Sequence, residues 1–122
     1  MDALTTGHLL LALQQVCQTS TLVDNIQVRA IDTDTLSVRV YLNTAGGFVN
    51  VFYNITTYKT AFALVESNQR IYRADNAKMG WHVHPFHDPS LHLPCAPVGF
   101  GEFLGEVEKY YRGIRQEHNM GG

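Results

Sequence analysis

The sequence predicts an α+β fold: an antiparallel sheet of about five strands, joined as a meander, with an N-terminal and a C-terminal helix packed on it. Apolar residues recur at helical spacing near both ends, alternate positions are apolar through the middle, and short turn-rich connections join the alternating segments. From Asp2 to Thr19, the residues Leu9, Leu10, Leu13, Val16 and Cys17 form one face and Gln14, Gln15 and Gln18 the other, the pattern of an amphipathic helix. Three alternating segments follow, each expected to be a strand with one buried face: Ile26, Val28 and Ala30; Leu36, Val38, Val40 and Leu42; Val49, Val51, Tyr53 and Ile55. Asp32-Thr33-Asp34 and Asn43-Thr44-Ala45-Gly46-Gly47 separate them, lengths that suit hairpins rather than crossovers. Two shorter strands, Ala61 to Val65 and Arg70 to Ala74, flank Ser67-Asn68-Gln69. From Val98 the helical period returns, with Phe100, Phe103, Leu104, Val107, Tyr111 and Ile114 facing inward and Glu102, Glu106, Lys109 and Arg112 facing out. The closing Met120-Gly121-Gly122 reads as a frayed tail.

The 122 residues suit a single domain spanning 1–122, and a composition 45% hydrophobic and 16% charged carries enough apolar surface to fold alone. A net charge of −2 excludes a protein that holds nucleic acid mainly through a large basic field, and leaves room for a local basic patch. Cys17 and Cys95 stand far apart and form no metal or redox motif, which fits a reduced, cytoplasmic setting. The apolar run Leu9 to Leu13 lacks a basic leader and is too short to span a bilayer, so no membrane partner is expected. Unpaired strand edges open a route to a homodimer.

After Asp75 the alternation stops for about twenty residues, a length that in a compact domain points to function. Of the six histidines, His82, His84, His87 and His92 fall here. One chemistry that needs histidines this close is metal binding, since neutral imidazole ligates zinc and other divalent ions and His-x-His projects both rings from one face of a strand. On that reading His82, His84, His87 and His92 are the candidate ligands, with Asp75 and Cys95 as further donors. The other is acid–base cleavage of RNA without a metal or any other cofactor, in which one histidine takes the 2′-hydroxyl proton and another protonates the departing 5′-oxygen. His82 and His84 then supply the acid and base, Asp75 orients one imidazole, and Arg73 meets the charge that builds on phosphate. Arg70, Lys78, Trp81 and Tyr72 are the candidate substrate contacts, because cations and aromatic faces are what unstacked bases and phosphates meet. A purely structural reading is also open, with Trp81 and Phe86 plugging the open face of the sheet, the histidines hydrogen-bonded to loop carbonyls and the prolines stiffening a covering loop; so is a non-enzymatic interaction module whose loop docks a partner. His8 and His118 are isolated and read as exposed or packing residues.

The strand ending Arg70-Ile71-Tyr72-Arg73-Ala74-Asp75-Asn76, followed by Trp81-His82-Val83-His84-Pro85 and a helix, resembles the TumE-like toxins of type II toxin–antitoxin systems. In that family the histidines stand closer behind the Asp-Asn; here Lys78-Met79-Gly80-Trp81 intervenes. The resemblance implies a growth-inhibiting toxin, an RNA-cleaving enzyme held inactive by a partner antitoxin, with Asp75, Asn76, His82 and His84 as the matching residues and His87 and His92 beside them. A helix followed by an antiparallel sheet is similar to RelE-like and barnase-like ribonucleases at the level of fold.

Overall fold

The computed structural model describes residues 4–44, 46–78 and 80–121, apart from the side chains of 115–121. Asp2, Ala45, Met79, Gly122 and the His118 side chain therefore lie outside the described residues. The elements run α1 (Thr6–Thr19), β1 (Val23–Ile31), β2 (Thr35–Leu42), β3 (Phe48–Asn54), β4 (Lys59–Glu66), β5 (Gln69–Asp75), β6 (His82–His84), β7 (Leu93–Pro94) and α2 (Phe100–Gly121). All seven strands join one sheet in chain order, and every neighbouring pair is antiparallel. The meander stands, with seven strands where about five were expected. The two additional strands come from the histidine segment itself, which turns back so that β6 pairs with β5 and β7 with β6. The expected frayed tail is helical as far as Gly121.

Both helices lie on one face. Thr5 caps α1 by accepting the His8 N–H at 3.1 Å, and the Thr6 hydroxyl donates to the Asp32 carbonyl at 2.6 Å, tying the helix start to the β1–β2 turn. At α2 the Gly99 N–H donates to Glu102 Oε1 at 3.3 Å, occupying a donor that the first turn leaves unpaired. The inward faces of α1 (Leu13, Cys17) and α2 (Phe100, Phe103, Leu104, Val107, Tyr111) meet the alternate residues Leu36, Val38, Val40, Val49, Val51, Phe62, Leu64, Tyr72 and Ala74 in one core. β1 departs from expectation, since Val28 and Ala30 are exposed. It is the edge strand, paired on one side only and interrupted by two register shifts.

Strand alternation sends the remaining side chains to the other face. Register places Arg39, Asn50, Ala63, Arg73 and His84 in one cross-strand row, and Ser37, Phe52, Ala61, Asp75 and His82 in the next. These rows end at β6, where the histidines are. Among the described residues no helix is long and apolar enough to cross a membrane.

Candidate active site: a three-histidine cleft

The Asp75-Asn76 pair divides two tasks at the end of β5. Asn76 points back to the β3–β4 turn, where its Oδ1 accepts from the Thr60 N–H at 2.8 Å and its Nδ2 donates to the Tyr58 carbonyl at 2.7 Å. Asp75 faces the other way and is buried. Its Oδ1 accepts from the Ala77 N–H at 3.0 Å and lies 3.3 Å from His82 Nε2, while its Oδ2 lies 3.6 Å from Arg73 Nη2. The chain then turns through Lys78 (φ 61°) and Gly80 (φ 87°), left-handed conformations that glycine adopts without strain, and enters β6.

On β6 the two-residue period puts His82 and His84 on one face, with ring centroids 5.1 Å apart. The segment leading into β7 adds His92, whose ring lies 5.3 Å from that of His82 and 4.2 Å from that of His84. One nitrogen from each of these three rings falls within 4.8 Å of the others. His82 Nδ1 is 3.0 Å from the Gly80 carbonyl and His84 Nδ1 is 3.0 Å from that of Pro89. A carbonyl only accepts, so both Nδ1 atoms carry the proton; in the neutral His84 ring the lone pair sits on Nε2, while His82 Nε2 faces the Asp75 carboxylate. Backbone or carboxylate acceptors behind a ring are how ligating histidines are oriented. His84 Nε2 is buried and has no hydrogen-bond partner, a cost that a folded protein rarely leaves uncompensated. Burial pushes the His84 imidazole below its ordinary pKa, with Arg73, His92 and His82 adding to the shift and the Pro89 carbonyl opposing it.

These groups line a cleft of about 430 Å³ that includes Arg73, Asp75, Lys78, Trp81, His82, His84 and His92. Of the candidate site residues singled out from sequence, besides Asn76, that leaves four elsewhere. Arg70 lines an adjoining groove. His87 is exposed and stands outside the histidine group. Tyr72 is one position out of phase with Arg73, so it faces the helices and stacks between Phe86 and Phe103 at 4.2 and 5.0 Å. Cys95 is outside the nitrogen cluster, and burial raises its thiol pKa, away from the thiolate a metal takes. Phe86 has the packing role of the structural reading, on the helix side, where it also stacks on Tyr110 at 4.2 Å. The bonds of His82 and His84 to the Gly80 and Pro89 carbonyls are the loop-carbonyl contacts that the structural reading expects of the histidines; which carbonyls accept was not legible from residue types.

Chemically, the cleft joins three imidazoles, one with an unpartnered Nε2, a buried carboxylate and two cations. No family model, curated protein or solved structure matches the chain.

Proposed function

We propose that the cleft binds a divalent transition metal through His82, His84 and His92 and hydrolyses a phosphodiester. The observation that carries this reading is the convergence of three imidazoles, two with the proton fixed on Nδ1 and one of these with a buried, unpartnered Nε2. Donors bound at about 2.0–2.1 Å to one tetrahedral ion stand about 3.3 Å apart, so modest side-chain rotations close the cluster. Three protein nitrogens leave a fourth position open, as in catalytic rather than structural sites. The ion supplies Lewis acidity toward a phosphoryl oxygen. Arg73 and Lys78 meet the phosphate charge; the Gly80 carbonyl holds His82 from behind, and Asp75, on the Nε2 side of that ring, supplies a carboxylate oxygen. In hydrolysis, the oxygen of water joins phosphorus and the ester oxygen leaves with a proton.

One observation favours a second, metal-free reading. Burial keeps His84 unprotonated near neutral pH, as a general base must be, and His82 sits against Asp75 as an oriented acid. The two rings lie on one side of the sheet, whereas in-line cleavage favours groups on opposite sides of the phosphate.

We place this activity in a toxin restrained by an antitoxin on the strength of the Asp75-Asn76 and His82-x-His84 resemblance. The test is cleavage of labelled RNA by tag-free protein with and without EDTA, beside metal analysis and a His84→Ala variant. Near-stoichiometric metal, loss of cleavage on chelation and an inactive variant are expected. Cleavage that survives EDTA and fails in His84→Ala would instead establish the acid–base reading. Expression of the wild type should arrest growth, and His84→Ala should relieve the arrest.

A further inference from the structure

The face of the sheet opposite the helices has a composition that the cleft alone does not explain. Its cross-strand rows lead directly to the histidines: Arg39, Asn50, Ala63 and Arg73 to His84, and Phe52, Ala61 and Asp75 to His82. A groove of about 320 Å³, floored by Ala61 and Ala63 and bordered by Phe52, Lys59, Arg70 and Arg73, runs along these rows and shares Arg73, Asp75 and Ala77 with the cleft. Cations lie over aromatic rings here, with the Arg39 guanidinium 4.2 Å from the centre of Phe48 and the Lys59 ammonium 5.9 Å from that of Phe52. Among the positions of β2 to β6 on this face, Asp75 is the one carboxylate. Among the described side chains of α2, the acidic Glu102, Glu106 and Glu108 belong to the opposite side of the molecule.

We propose that this face is a track for single-stranded RNA that delivers its phosphodiesters to the histidine cleft. The inference rests on the reading of the cleft as a phosphodiester site and names its substrate. Arg39, Lys59, Arg70 and Arg73 complement a line of phosphates, and Phe52, which borders the groove, offers its ring to an unpaired base as Lys59 turns to phosphate. The small floor residues let a backbone approach the sheet. A duplex keeps its bases inside and has no use for the aromatic faces. Asp75 stands where groove and cleft meet, an acceptor suited to a ribose 2′-hydroxyl and repellent to a misplaced phosphate.

The experiment is fluorescence anisotropy of a labelled 12-nucleotide single-stranded RNA in EDTA, with duplex RNA and single-stranded DNA of the same sequence beside it. Phe52→Ala is expected to weaken RNA binding about 5- to 150-fold, the range for loss of one base stack. Lys59→Glu, at an exposed position, should weaken binding and reduce the slope of log affinity against log salt by about 0.7 or more. Thermal melts confirm that each variant is folded. Duplex RNA or DNA binding as tightly as single-stranded RNA would overturn the proposal, as would unchanged affinity in both folded variants. Metal-dependent hydrolysis of bis(p-nitrophenyl) phosphate by the wild type reads the cleft without the face. Small-substrate hydrolysis without RNA binding overturns the track and leaves the cleft; RNA binding without metal-dependent hydrolysis does the reverse.

Discussion

Asp75 is the residue on which the cleft's arrangement depends, since it touches Arg73, His82 and the Ala77 N–H from a buried position. Asp75→Asn keeps an oxygen for the Ala77 N–H and removes the charge. If the carboxylate takes part in the metal site beside His82 Nε2, zinc affinity should fall about 10- to 100-fold in a competition titration; an unchanged affinity would remove Asp75 from the site. Asp75, His82 and His84 were legible because a strand sends i and i+2 to one face. Tyr72 was legible on the same rule, as the residue out of phase with Arg73, and its interleaving with the cations in sequence obscured this. His92 could not be placed from sequence, because its approach depends on how the chain turns before β7. Away from the cleft, the Tyr111 hydroxyl donates to Glu66 Oε2 at 2.7 Å, and burial together with that carboxylate holds its pKa well above the ordinary tyrosine value. The unfolded chain ionises near pH 10, about the free-tyrosine value, while the folded chain retains the proton, so this stability is intact below that pH and is lost as pH rises above it. Melting curves of the wild type should therefore fall above about pH 10, and those of Tyr111→Phe, lower by about 1–2 kcal/mol at neutral pH, should fall less steeply.

At the scale of elements, a column of rings joins the histidine segment to the helix layer: Tyr110, Phe86, Tyr72 and Phe103 stack in that order at 4.2, 4.2 and 5.0 Å. Phe86 belongs to the same segment as the Pro89 carbonyl and His92, so the column fixes a connection that two short strands alone would hold weakly. Phe86→Ala should cost about 1–3 kcal/mol, less than for a fully buried ring, and should weaken metal binding with the secondary structure intact. A lower melting temperature with metal affinity untouched would show that the column stabilises the fold without positioning the cleft. The two helices and the first three strands were legible because each repeats its period several times, and β4 and β5 because they flank the turn-rich Ser67-Asn68-Gln69. His82–His84 and Leu93–Pro94 are too short to show a period, and their existence follows from pairing with strands already formed.

At the scale of the whole molecule, the net charge of −2 conceals a sheet face on which Arg39, Lys59, Arg70 and Arg73 gather, while α2 carries charges of both signs. Folding and metal binding should likewise be coupled across the molecule, because the three nitrogens converge only when β6 and the chain entering β7 have docked on β5. An ion that binds the folded chain alone at about 100 times its dissociation constant adds about 2.7 kcal/mol. For a domain of this length, that is roughly 8–12 °C in melting temperature. His82 and His84 stay near neighbours in the unfolded chain, so residual binding there will reduce the shift. Differential scanning fluorimetry with zinc, manganese or cobalt should show the rise, EDTA should reverse it, and His84→Ala should abolish it. If none of these ions moves the wild-type transition, the metal reading fails and the oriented His82 and unprotonated His84 are left as an acid–base pair, since metal-free chemistry requires no such coupling.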